Sequence, residues 1–183
     1  QNQSTYVAKE ETDFIPYVTR PKGDTGFSIS TASGRLWDDG RLEAIEAGNL
    51  IHHALSQIKT QEDVLPVVEK LQLVGHFQKD ASGEIQQKLM QVVGHPNLKA
   101  YFSAPYEIWN EQEILTVNGL SLRPDRIANL GDQATVIDYK TGKPSPSHKE
   151  QIAQYGDALR AMGYKVDHNI IVYIDQEINP IFI

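Results

Sequence analysis

Cysteine is absent from all 183 residues. That one absence removes disulfides and thiolate-bound metal sites together. Long apolar runs are missing as well. None approaches the ~18 residues of a membrane-spanning helix, and no charged-then-apolar leader opens the chain. The expectation is a cytoplasmic protein with no membrane partner. No Gly-x-x-x-x-Gly-Lys-Ser/Thr run occurs, so the chain encodes no nucleotide-driven motor. An excess of positive charge is lacking too, with 17 Lys and Arg against 24 Asp and Glu and a formal net charge of −7. Any grip on nucleic acid therefore depends on local and not net charge. What is present is ordinary for a globular protein: 40% hydrophobic and 22% charged residues, in a length that suits one domain with a real core.

The first residue is Gln1 and not Met, and the expectation is a piece excised or processed from a longer chain. Residues 1–41 are polar and broken by Pro16, Pro21, Gly23, Gly26, Gly34 and Gly40. They read as an irregular extension or linker with short extended pieces at 14–19 and 26–31. The domain proper is expected over 42–183.

Three helices open it. Leu42, Ile45, Leu50, Ile51, Ala54, Leu55 and Ile58 recur at three- and four-residue steps and predict a helix over 41–58. Gly48 and Asn49 interrupt it, so the helix restarts there or a close contact needs a small residue. A second helix is predicted over 62–74 behind Thr60 and Asp63, with Val64, Val67, Val68 and Leu71 inward. A third runs over about 83–93, and a short turn of helix follows between Pro96 and Phe102. The period then changes. Residues 106–109 and 113–117 read as strands, and Asn118-Gly119 as a two-residue hairpin turn of the primed type.

Residues 120–128 and 134–140 are the densest part of the sequence, two strand-like runs rich in Ile, Val, Leu and Tyr around a short polar loop. They bring Asp125 near Asp138. Asp138 and Lys140 are two apart, so the pleat puts them on one face while Ile137 and Tyr139 point to the other. Pro124 lacks a ladder donor and marks an edge or bulge that re-aims the aspartate after it. Two carboxylates and an ammonium on one side of a sheet are costly without compensation. Mg2+ or Mn2+ would supply it, since carboxylate oxygen, water and substrate phosphate are its usual ligands. A lysine beside such an ion can orient or activate the attacking water, or stabilise charge on phosphate. The plainer reading of Asp138 and Lys140 is a solvent-facing pair at a strand end.

Beyond Pro144 a helix is predicted from near Ser147 to Gly163, in which Gln151 and Tyr155 share a face. Residues 169–174 are a nearly continuous apolar run, a strand covered on both sides. Ile178 to Ile183 would pair beside it. Strand, helix and strand in that order favour a parallel crossover.

Arg123-Pro-Asp-Arg-Ile127, Val136-Ile-Asp-Tyr-Lys-Thr-Gly142 and Gln151-Ile-Ala-Gln-Tyr155 together resemble the PD-(D/E)XK nuclease domain at the C-terminus of RecB- and AddA-type helicase-nucleases. The resemblance spans about 42–175 and is sharp over 123–163. It implies a restriction-endonuclease-like α/β fold, a mixed β-sheet flanked by helices with a helical region at its N-terminal side. By match to the family's motifs it makes Asp125, Asp138 and Lys140 catalytic. Asp125, Asp138, His52 and the carbonyl of Tyr139 become the ligands of Mg2+ or Mn2+. Gln151 and Tyr155 become substrate contacts, and Glu111 matches an acidic position before the hairpin. His52 stands in the family's Gly-x-x-x-His context, here Gly48 to His52. Some relatives carry an iron–sulfur cluster on four cysteines, which this chain cannot hold.

The implied activity is divalent-metal-dependent DNA hydrolysis, with exonuclease action favoured, in DNA repair or recombination. The implied partners are single-stranded DNA, a helicase motor upstream in the same polypeptide and a further subunit. Two other readings remain open: a silent DNA-binding or structural domain of the same fold, and a stand-alone resolvase- or restriction-like endonuclease.

Overall fold

The computed structural model describes residues 41–183. The N-terminal stretch expected to be irregular, the two extended pieces expected in it, and the side chains of Leu42 and Ile45 lie outside the described residues. Three helices come first: α1 (Arg41–Gln57), α2 (Val64–Leu73) and α3 (Ser82–Val93), with single 3-10 turns leading into α2 and α3. The turn before α2 is pinned by Asp63, whose Oδ2 accepts the backbone N–H groups of Lys59 at 2.9 Å and Thr60 at 2.8 Å. The predicted periodicities set the buried faces. Leu50, Ile51, Leu55 and Ile58 meet Val67, Val68 and Leu71 of α2 and Ile85, Leu89 and Val92 of α3 in one core. Each such side chain, fully buried, contributes about 1.5–3 kcal/mol.

That core lies on one face of a five-stranded sheet. Its strands are β1 (Glu107–Asn110), β4 (Arg126–Leu130), β5 (Gln133–Lys140), β6 (Lys165–Ile174) and β7 (Ile178–Phe182), in the order β1-β4-β5-β6-β7. A separate pair, β2 (Ile114–Leu115) and β3 (Ser121–Leu122), forms a small hairpin between β1 and β4 in sequence. Strands β5 and β6 are parallel and joined by helix α4 (Pro146–Ala161), and the other neighbours are antiparallel. Helix α4 covers the opposite face through Ile152, Tyr155, Ala158 and Leu159 against Val136, Ile171 and Tyr173. The strand β5 is therefore buried on both sides, with Ile137 and Tyr139 toward α1 and α3 and Val136 toward α4. Beyond β6, the outer strand β7 carries Pro180 opposite Val172. The chain thus forms the expected restriction-endonuclease-like α/β fold, a mixed sheet flanked by helices. No helix among the described residues is long and apolar enough to cross a membrane.

Three local expectations are corrected. The run 120–128 is not one strand but β3 and β4, in different sheets, parted at Arg123-Pro124-Asp125 because proline offers no ladder donor. The hairpin at Asn118-Gly119 is not a primed two-residue turn. Gly119 takes φ +76° and donates to the carbonyl of Thr116, whose own N–H donates to Leu120, the pattern of a three-residue loop closed by a left-handed glycine. The strand expected over 113–117 shrinks to Ile114–Leu115, and Glu111 lies before it with φ +48°, the one positive φ outside glycine among the described residues.

Candidate active site

The break at Pro124 is what places Asp125. The residue falls just before β4, off the ladder. Its Oδ2 accepts the backbone N–H of Tyr139 at 2.7 Å, tying the end of β5 to the start of β4. Its own carbonyl accepts the N–H of Glu111 at 3.0 Å. Asp138 sits one residue earlier on β5 and is 2% exposed. Lys140 Nζ stands 2.7 Å from Asp138 Oδ2, an ion pair that misses hydrogen-bond alignment and leaves that buried oxygen without a hydrogen-bond partner. Burial first, and then the charge of Asp125, push the Asp138 carboxyl up to about 6, against the pull of Lys140 and His52.

His52 arrives from α1. Its Nδ1 is 3.6 Å from Asp125 Oδ2, and its ring meets Tyr139 edge-on with centroids 6.1 Å apart. The Tyr139 side chain is core, and burial raises its hydroxyl pKa while the charge of Arg126 opposes that rise. Helix α4 closes the other side. Gln151 donates from Nε2 to the Tyr155 hydroxyl at 2.8 Å. Burial raises the Tyr155 pKa, and the negative charge of Asp138 adds to the rise. The structure thus gathers Asp125, Asp138, Lys140, His52, Gln151 and Tyr155 around the C-terminal end of β5, with helix α1 on one face and α4 on the other. Glu111 belongs to a different group: its carboxylate is ion-paired with Arg123 on the surface, and its carbonyl accepts Arg123 Nε at 3.2 Å.

Sequence reasoning passed over Arg126 and read His148 only as part of a basic segment, with Lys140, Lys143 and Lys149, beside the acids. Arg126, directly after Asp125, is completely buried. Its guanidinium lies 3.8 Å over the Phe102 ring and donates to the carbonyls of Ile58, Lys59 and Tyr101 and to Asn110 Oδ1. It fastens the segment after α1 to the strand that follows Asp125. An arginine leading straight into the mostly apolar run Ile-Ala-Asn-Leu was the available signal. His148 stands in the first turn of α4. Its Nδ1 lies 3.0 Å from the Tyr173 hydroxyl, and Tyr173 is paired across the ladder with Lys140. Burial, and then the Lys140 charge, lower the His148 pKa.

Whether these residues suit a divalent cation turns on the acids. A buried carboxylate oxygen lacking a hydrogen bond, beside a second carboxylate that raises its pKa, is the arrangement a hard cation relieves. Among the described residues, however, no three His, Cys, Asp or Glu side chains stand close enough to form a cage alone. The donor set fits an ion held by two carboxylates whose remaining positions go to water, carbonyl and phosphate, the usual habit of Mg2+.

A two-sided mixed sheet with an acid pair and a lysine at the end of its central strand defines the restriction-endonuclease-like class. The family model described as the PD-(D/E)XK nuclease superfamily matches residues 29–178, and the chain belongs to that superfamily. Nucleases of this superfamily typically use divalent metal ions. Among solved structures, the crystal structure of SSO0001 is similar over 79% of this chain and 78% of that chain, at 19% identity and a TM-score of 0.32. No curated protein matches.

Proposed function

We propose that the chain is a divalent-metal-dependent deoxyribonuclease, the nuclease domain of a helicase-nuclease of RecB or AddA type that works in DNA repair or recombination. The observation that carries the reading is the buried Asp138 oxygen, without a hydrogen bond, between Lys140 and the Asp125 side of the site. Asp125 and Asp138, with His52 and the Tyr139 carbonyl, would hold one or two Mg2+ or Mn2+ ions. A bound ion supplies polarisation of the scissile phosphate and a water of lowered pKa. Lys140, released from its pairing with Asp138, orients that water and stabilises charge on the phosphate. Gln151 and Tyr155 keep the DNA backbone or its waters in register with the acids.

The resemblance in the three motifs supports single-stranded DNA delivered by a motor upstream in the same polypeptide, with a further subunit as partner, and exonuclease action. A net charge of −7 suits a domain whose substrate is fed to it. The second reading, a DNA-binding domain without catalysis, draws on the lack of a complete side-chain cage for metal among the described residues.

The test is cleavage of end-labelled single- and double-stranded DNA in Mg2+, Mn2+ or EDTA, beside Asp138→Ala and Lys140→Ala. The expected result is metal-dependent cutting of single strands that both substitutions reduce at least about 100-fold, the lower end of what losing an acid–base or electrostatic group costs. Metal and DNA binding without cleavage would favour the second reading. Cutting of duplex by a dimer would point to a stand-alone endonuclease.

A further inference from the structure

We propose that Gly48 is a positioning residue whose missing side chain seats α1 on Thr141, at the exit of β5, and thereby delivers His52 to Asp125. The inference rests on the reading of His52 and Asp125 as one site. A Cβ built at Gly48 would lie 2.5 Å from Thr141 Oγ1, 3.1 Å from its Cβ and 3.3 Å from its Cγ2. All three heavy atoms of the threonine side chain crowd the position. Rotating Thr141 can turn its hydroxyl away but leaves its Cβ 3.1 Å from the new group, so relief takes a relative shift between α1 and the segment that carries Thr141.

The consequence falls on His52. One helical turn separates it from Gly48, so both look toward the same side of α1. Thr141 directly follows Lys140, so the contact lies beside the acids and not in a remote part of the core. The His52–Asp125 separation of 3.6 Å is already long, and lifting α1 by a few tenths of an ångström weakens it further. Glycine is a poor choice inside a helix on propensity alone. The flanking Ala47, Leu50 and Ile51 are all buried, and they hold this segment of α1 inward whatever occupies position 48. The helix thus accepts a weak residue at a point where it lies against the residue that follows β5.

The experiment compares the whole chain with Gly48→Ala, Thr141→Ala, the double substitution and Thr141→Ile. Three quantities are read: circular dichroism for folding, the His52 imidazole shifts by NMR with Asp125→Asn as reference, and affinity for Mn2+ alone by calorimetry. In Gly48→Ala the His52 signal is expected to move toward its position in Asp125→Asn, and Mn2+ affinity to fall about 10-fold, as when a group orienting a ligand is lost. Thr141→Ala alone changes neither, and in the double variant it restores most of both. Thr141→Ile, which enlarges the other side of the contact, shifts His52 as Gly48→Ala does; it carries the test if Gly48→Ala fails to fold. An unmoved His52 signal in Gly48→Ala and Thr141→Ile, or a double variant no closer to wild type than Gly48→Ala, overturns the proposal. If the wild-type chain takes up no Mn2+ yet the His52 signal moves and returns as described, the positioning stands and the metal reading falls. If Mn2+ binds and the four variants bind it alike with His52 unmoved, the reading stands and the positioning falls.

Discussion

Asp138 puts function and stability in opposition within one side chain. It is buried, lacks an aligned hydrogen bond, and faces the charge of Asp125. Asp138→Asn removes the charge while keeping the shape, and Lys140, which still reaches solvent, is not stranded by the loss. In EDTA near neutral pH that variant is expected to be more stable by about 1–3 kcal/mol, which raises the melting temperature by several degrees. It is also expected to be inert in the cleavage assay. Calorimetric melts of the two chains check this, and a variant that melts lower would show that the Lys140 pair stabilises more than burial costs. Part of the site was legible at this scale because alternation is a local property. The spacing of Asp138 and Lys140 sets their common face without knowledge of the fold. Arg126 was not legible: the carbonyls that receive its guanidinium belong to residues 58, 59 and 101, distant in sequence, so burial of the charge makes sense only in three dimensions. The pairing of Glu111 with Arg123 was hidden for the related reason that a hairpin brings the two together.

Among the elements, helices were read with little error because each buried stripe repeats several times within its own segment. Strands were read less well. The run of strand-forming residues continues through Pro124 although the chain changes sheets there, since β3 buries Leu122 and β4 buries Ile127 and Ala128 on its two faces. Helix starts depend on single residues, and the turn before α2 is a clear case. Backbone hydrogen bonds, that from Thr60 above all, hold the Asp63 carboxyl below its usual pKa. A depressed folded-state pKa contributes stability that is present above the unfolded value, near 3.8, and is lost as pH falls through the folded one. Asp63→Ala is therefore expected to cost about 1 kcal/mol at pH 6, somewhat less for screening by solvent. The charge-dependent part of that cost is smaller at pH 2.5. Urea titrations of both chains at the two pH values test the sign: a penalty that grows in acid would contradict it.

At the scale of the whole molecule, the sheet has a core on each face, and strands β5 and β6 contribute to both. Loss of packing on either side is then felt by the same strands. Leu89→Ala in the helical layer and Leu159→Ala under α4 remove fully buried side chains. Each is expected to cost about 2–5 kcal/mol. Both should shift one common transition, followed alike by far-ultraviolet dichroism and by tryptophan emission. Separate transitions in either variant would show that the two layers unfold independently.

The outer strand β7 has a consequence of another kind. Pro180 sits where an added strand would seek a hydrogen-bond donor, and proline has none. Among the described residues, growth of the sheet by another chain is hindered on that margin and left to β1 on the other. The protein is asymmetric as a building block: an assembly or an aggregate that propagates by strand addition would start beside Glu107–Asn110 and, at the β7 side, would meet a terminator.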